Sequence, residues 1–264
     1  MPLLEPEDER EHAEYEQERV DGTHASPGRF HSRGFRYIRH YKGERAHGEV
    51  YPEHPTPGEE LGEEPAEERA ESPIVIDIVE NALKNIRREM DAVIFRAAMS
   101  TVIREEHDSF PLLADDQGRM LAGQFGWPLG EFFERWPKDD LRPGDVLLMN
   151  DPYLLGGALQ HTPDMLLLRP IFVGEELVGF ASQIGNLMDI GGAVPGSMPA
   201  RSRSIFEEGI RFPPVKLYDR GVLQQPIVDI LARNSRTPEL TVADTLALAA
   251  ATRAAELRVV ELCE

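Results

Sequence analysis

The sequence predicts an α+β fold in which antiparallel hairpins pack with long amphipathic helices. Three observations carry this. Apolar residues recur at three- and four-residue steps after Ser72-Pro73. Short apolar runs separated by Gly, Pro and Asp follow in mid-chain. An Ala/Leu-rich periodic stretch closes the chain.

The first folded element is placed at Ser72-Pro73, where a side-chain cap precedes a proline suited to the first helical position. Ile74, Ile78, Ala82, Ile86, Met90, Val93 and Ala97 form an apolar stripe, with Glu80, Lys84, Arg87, Arg88 and Glu89 opposite. The spacing predicts one helix to about Arg104, about 45 Å long. Phe110 to Ala114, the turn Asp115-Asp116-Gln117-Gly118 and Met120 to Ala122 read as a hairpin. Gly130 to Trp136 reads as a short helix. Pro143-Gly144-Asp145 turns into a buried strand, Val146 to Met149. Met165 to Leu168 continues through Val173, and Gly174-Glu175-Glu176 turns into Leu177 to Ala181, a second hairpin. Helices are expected near Gln225–Ala232 and from Pro238 to about Leu262, the latter with Ala243, Leu246, Ala250, Ala254 and Leu257 on one face.

Residues 1–72 read differently. They hold 19 acidic and 9 basic residues and six of the eight histidines, with almost no apolar periodicity. Such a segment buries too little apolar surface to offset roughly 1–2 kcal/mol of backbone entropy per residue, so an acidic, disordered extension is expected, with the folded domain spanning 73–264. Its histidines, at 12, 24, 31, 40, 47 and 54, fit no zinc-ligand spacing.

Composition excludes several functions. With 28 Lys+Arg against 47 Asp+Glu, a net charge of −19 and a pI near 4.8, the chain is a poor match for nucleic acid or anionic lipid. Apolar runs such as Val146–Met149 are four residues long, against the ~20 of a bilayer span. Met1 to Glu5 lacks a signal-peptide pattern, and the single cysteine, Cys263, permits no internal disulfide, so a cytoplasmic protein is expected.

Polar residues and glycines concentrate in 150–199. His161 and Asp164 stand three apart around Thr162-Pro163, where a turn brings imidazole and carboxylate together; borderline divalent metals accept that N/O pair, and a loop hydrogen bond is the plainer alternative. No phosphate-binding G-x-x-x-x-G-K-[ST] loop is present, and Ser197 is not in a G-x-S-x-G elbow. Asp115-Asp116 reads as turn chemistry, Glu105 to Asp108 as a solvated helix end, and Cys263 as a bystander.

The sequence from about Ser72 onward resembles the hydantoinase B/oxoprolinase family. The residues that carry the likeness are Gly144-Asp145-Val146, Asn150-Asp151-Pro152-Tyr153, Gly156-Gly157, His161-x-x-Asp164, Asp189-Ile190-Gly191-Gly192, Pro195 to Pro199, Phe206 to Leu217 and Arg236-Thr237-Pro238. The resemblance implies an ATP-dependent amidohydrolase of hydantoins, 5-oxoproline or lactams, or a carboxylase of the acetone/acetophenone type; a non-catalytic assembly subunit is the alternative. It implies a hydantoinase A-type partner subunit that binds ATP, a C-terminal half beyond Glu264 and a small-molecule substrate. It also implies a divalent metal, manganese or zinc, held by His161, Asp164 and a second histidine. Asn186 stands where that histidine falls, and Asp189, three residues on, lies on the opposite face if the strand continues.

Overall fold

The computed structural model describes residues 73–124 and 129–264; the extension expected over 1–72, with its histidines, lies outside them. Seven strands form one antiparallel sheet: β1 (Ser109–Asp115), β2 (Met120–Gly123), β3 (Val146–Met149), β4 (Asp164–Val173), β5 (Glu176–Asn186), β6 (Val215–Asp219) and β7 (Val222–Leu223). Their spatial order is β2-β1-β5-β4-β3-β6-β7. The helices are α1 (Pro73–Ala97), α2 (Thr101–Arg104), α3 (Leu129–Arg135), α4 (Gln225–Asn234) and α5 (Pro238–Cys263).

The two expected hairpins are therefore neighbours in a single sheet, because β1 pairs along its whole length with β5, from Ser109–Gly185 to Asp115–Gly179. Strand periodicity assigns two cores. Leu113, Val146, Leu148, Met165, Leu167 and Ala181 face α1, α4 and α5. Leu112, Leu147, Met149, Leu166, Leu168 and Phe180 face the other way, under α3 and the loop residues Leu155 and Leu159. The long helices thus cover one face only. The β6–β7 hairpin was not expected as strands; it turns at Arg220-Gly221, both at positive φ (51° and 85°), and extends the sheet from β3.

Three helix expectations need correction. The first helix stops at Ala97. Ser100 caps a separate one-turn helix, and Asp244 Oδ1 of α5 accepts the backbone N–H groups of Met99 (2.6 Å) and Ser100 (3.1 Å). The buried stripe of α1 is Ile76, Leu83, Ile86, Met90 and Ile94, while Ile74 and Ile78 are exposed. In α5 the buried face runs through Thr241, Asp244, Thr245, Leu248, Thr252, Ala255 and Val259, and Leu257 is exposed. Burial there follows polar partners as much as apolar content. Thr241 Oγ1 donates to Asp189 O (2.9 Å), and Glu256 pairs with Arg169 of β4 (3.0 Å).

Candidate functional site

The site lies at one end of the β4–β5 hairpin. Asp164 opens β4, Asn186 closes β5, and the two are register partners. The turn at Thr162-Pro163 brings His161 Nδ1 to 3.2 Å from Asp164 Oδ2. Asn186 Nδ2 donates to Asp164 Oδ1 at 3.2 Å. All three expected site residues therefore meet at one carboxylate. Leu187 N–H donates to Pro163 O (2.9 Å) and closes the corner behind them.

The contact between His161 and Asp164 is ionic in distance but off the hydrogen-bonding direction, so buried Nδ1 is left without a hydrogen bond. An imidazole nitrogen and a carboxylate oxygen, the N/O pair that borderline divalent ions accept, thus stand side by side. Asn186 can add an amide oxygen, a weaker ligand than the imidazole that the resemblance implies at its place. Among the described residues no three His, Cys, Asp or Glu side chains gather closely enough to hold a metal. Asp189 does not fill the gap. Its carboxylate accepts from the N–H groups of Gly191, Gly196 and Arg236 and from the Arg236 guanidinium.

Burial pushes the Asp164 carboxyl up to about 6; the Asp108 charge adds to the rise, while His161 and the Asn186 hydrogen bond oppose it. Asp108, expected as part of a solvated helix end, thus lies near enough for its charge to act on Asp164, and its carbonyl accepts Asn186 N–H at 3.2 Å. A positive φ of 58° at His107, which stacks on Phe95 at 4.0 Å, turns the chain there.

The support of this corner was not legible as such. Buried Asn150 satisfies its whole amide: Nδ2 donates to Thr162 O (2.7 Å) and Ile210 O (2.9 Å), and Oδ1 accepts Phe212 N–H (2.6 Å). Thr162 Oγ1 donates to Glu208 O (2.6 Å) and its N–H donates to Glu208 Oε2 (3.3 Å). An asparagine directly after a buried strand was the available signal; its partners at Ile210 and Phe212 lie far along the chain. Other candidates are structural. Ser197 Oγ accepts from Ile190 N–H and donates to Gly191 O. Asp115 holds its own turn through Gln117 and Arg119. Burial, with the Glu176 and Glu264 charges, pushes the Cys263 thiol up to about 11.

A family model described as hydantoinase B/oxoprolinase matches residues 72–264. The chain belongs to the hydantoinase B/oxoprolinase family. Among its relatives, the B component of a D-/L-hydantoinase from Pseudomonas sp. (strain NS671) is 34% identical over 206 residues, covering 73% of this chain and 34% of that protein. The beta chain of caprolactamase from Pseudomonas jessenii is 30% identical over 200 residues, again covering 73% and 34%. The crystal structure of the ATP-dependent caprolactamase from the same organism superposes with a TM-score of 0.66 at 29% identity, over 74% of this chain and 34% of that one. The nucleotide-free structure of acetone carboxylase shares the fold, with a TM-score of 0.66 at 20% identity over 73% of this chain and 26% of that one. The matched region thus spans about a third of the length of these family relatives. Among the described residues no helix is long and apolar enough to cross a membrane.

Proposed function

We propose that this chain supplies the metal-binding corner of the hydantoinase B-type component in an ATP-dependent amidohydrolase that opens cyclic amides of the hydantoin, 5-oxoproline or lactam type. The observation that carries the proposal is the convergence of His161, Asp164 and Asn186 on one carboxylate, in a chain of this family. His161 Nδ1 and Asp164 Oδ2 would hold a divalent manganese or zinc ion, with the Asn186 amide oxygen as a third, weaker donor. Bound there, the ion would polarise a carbonyl oxygen as a Lewis acid. The chain's own residues do the rest. Asn186 orients the Asp164 carboxylate, and the Thr162–Glu208 contacts fix His161. The sequence contains no G-x-x-x-x-G-K-[ST] loop, and the family resemblance assigns ATP to a hydantoinase A-type partner.

The test is reconstitution of the full chain with such a partner and with the remaining B-type sequence supplied, followed by ADP release on a panel of cyclic amides with and without bicarbonate. Cyclic-amide-dependent ADP release without bicarbonate is the expected result. Release that requires bicarbonate and a ketone would assign the chain to the carboxylase branch instead. A second reading, a non-catalytic assembly component, is favoured by Asn186 itself. It predicts that the complex forms and no substrate stimulates ADP release, whatever metal is added.

A further inference from the structure

We infer that Arg236, in the connection between α4 and α5, is the positioning residue that holds the His161–Asp164–Asn186 corner together. Its side chain is 41% exposed, yet the guanidinium reaches four acceptors: the two Nη1 hydrogens are shared among Asp189 Oδ2 (3.0 Å), Gly191 O (3.1 Å) and Val194 O (3.0 Å), and Nη2 donates to Gly192 O (2.7 Å). Its backbone N–H donates to Asp189 Oδ1 at 3.0 Å. A planar fork of fixed donors suits this array; a lysine ammonium carries fewer donors at one point and cannot span it.

Two routes run from this clamp to the site. The first is short. Asp189 lies three residues beyond Asn186, and Leu187 between them is bonded to Pro163. Holding Asp189 therefore fixes the end of β5 against the His161–Asp164 turn. The second passes through the glycine loop. Gly192, at φ +81°, leaves no room for a Cβ against the Glu207 carbonyl, and Ala193 N–H donates to that carbonyl at 2.7 Å. Glu208, the next residue, accepts from both the hydroxyl and the N–H of Thr162, the neighbour of His161. Ile210 N–H returns to Ile190 O (3.0 Å) and closes the ring. The clamp thus holds the site from the Asn186 side and from the His161 side. It also accounts for the separate Asp189–Gly192, Pro195–Pro199 and Arg236–Pro238 motifs as one device.

The inference rests on the His161 corner being the functional site, and its test is read without substrate, nucleotide or metal. Full-length chain carrying isotope-labelled histidine is studied by NMR at fixed pH, the His161 imidazole signal being identified by its loss in His161→Ala. In Arg236→Ala the His161 signal should shift and broaden, and added guanidinium, below denaturing concentrations, should return it towards the wild-type position. Arg258→Ala, which removes a surface arginine paired with Glu89 and Glu261, should leave it unmoved. A purely structural arginine would lower stability without this signature or its rescue. Folded Arg236→Ala with His161 at its wild-type position overturns the inference. If Arg236→Ala does not fold, Arg236→Lys is read in the same way, and an unmoved signal there overturns it too. Calorimetric titration with zinc alone provides a second readout, with affinity expected to fall about 10–100-fold in Arg236→Ala. Absence of zinc binding by the wild type would count against the metal reading above and leave the His161 measurement standing.

Discussion

Under the proposed function, Asn186 is the residue on which metal affinity turns. Its amide N–H is committed to Asp164 Oδ1, so only its oxygen is open to a metal. Replacing it by histidine should raise manganese or zinc affinity at least about 10–100-fold, since a directly bound imidazole outweighs an outer contact. Metal analysis and calorimetry of wild type, Asn186→His and His161→Ala measure this; no gain in Asn186→His would remove Asn186 from the metal shell. Asp189 illustrates the opposite use of a carboxylate. Burial works against its charge, but the N–H groups of Arg236, Gly196 and Gly191 and the Arg236 side chain outweigh it and hold the carboxyl below the ordinary range. A group whose value is lowered on folding stabilises above its unfolded value of about 3.9 and loses that contribution as pH falls through the folded one. Asp189→Asn should therefore be destabilising at neutral pH, by a margin that shrinks as the pH falls below about 4. Urea unfolding of both proteins from acid to neutral pH would show it, and a constant margin would contradict it.

At the scale of elements, strands are easier to read than helix faces. Val146–Met149 and the two hairpins are where short apolar runs and the turn residues between them put them, because a strand buried on both faces needs no more than a local apolar run bounded by turns. The buried stripe of α1 departs from expectation over its first turns, and the face of α5 departs along its length. Apolar content alone ranks Leu257 above Asp244 and Glu256, yet Leu257 is exposed and Asp244 wholly buried. Asp244 is held inside because it accepts the N–H groups of Met99 and Ser100 at the break between α1 and α2. Removing it in Asp244→Ala should cost about 1–3 kcal/mol, measured by urea unfolding, because those two donors lose their acceptor. A loss within error of zero would mean that water replaces it.

Across the whole molecule, Arg169 and Glu256 link the middle of the sheet to α5 through a contact with both side chains about nine-tenths buried. Breaking it from one side, in Arg169→Met, should destabilise by about 3–5 kcal/mol, and adding Glu256→Leu should recover most of that, since the buried charge then disappears with its partner. Non-recovery in the double variant would point to the Thr252 and Arg253 contacts instead. The purified chain should hydrolyse no ATP by itself; turnover by the isolated protein would place nucleotide chemistry here and not on a partner.

The α+β class, the strands β1 to β5 and the grouping of residues 161, 164 and 186 follow from local patterns and family motifs, which need only neighbouring residues or a recurring spacing; β6 and β7 do not. Other features depend on residues tens of positions apart: the joining of both hairpins into one sheet, the polar buried face of α5, the Asp108 carbonyl bonded to Asn186, and Arg236 gripping the loop beyond Asn186. A polar side chain is placed by the partner that offsets its desolvation, and that partner is known only once the chain has folded back upon itself.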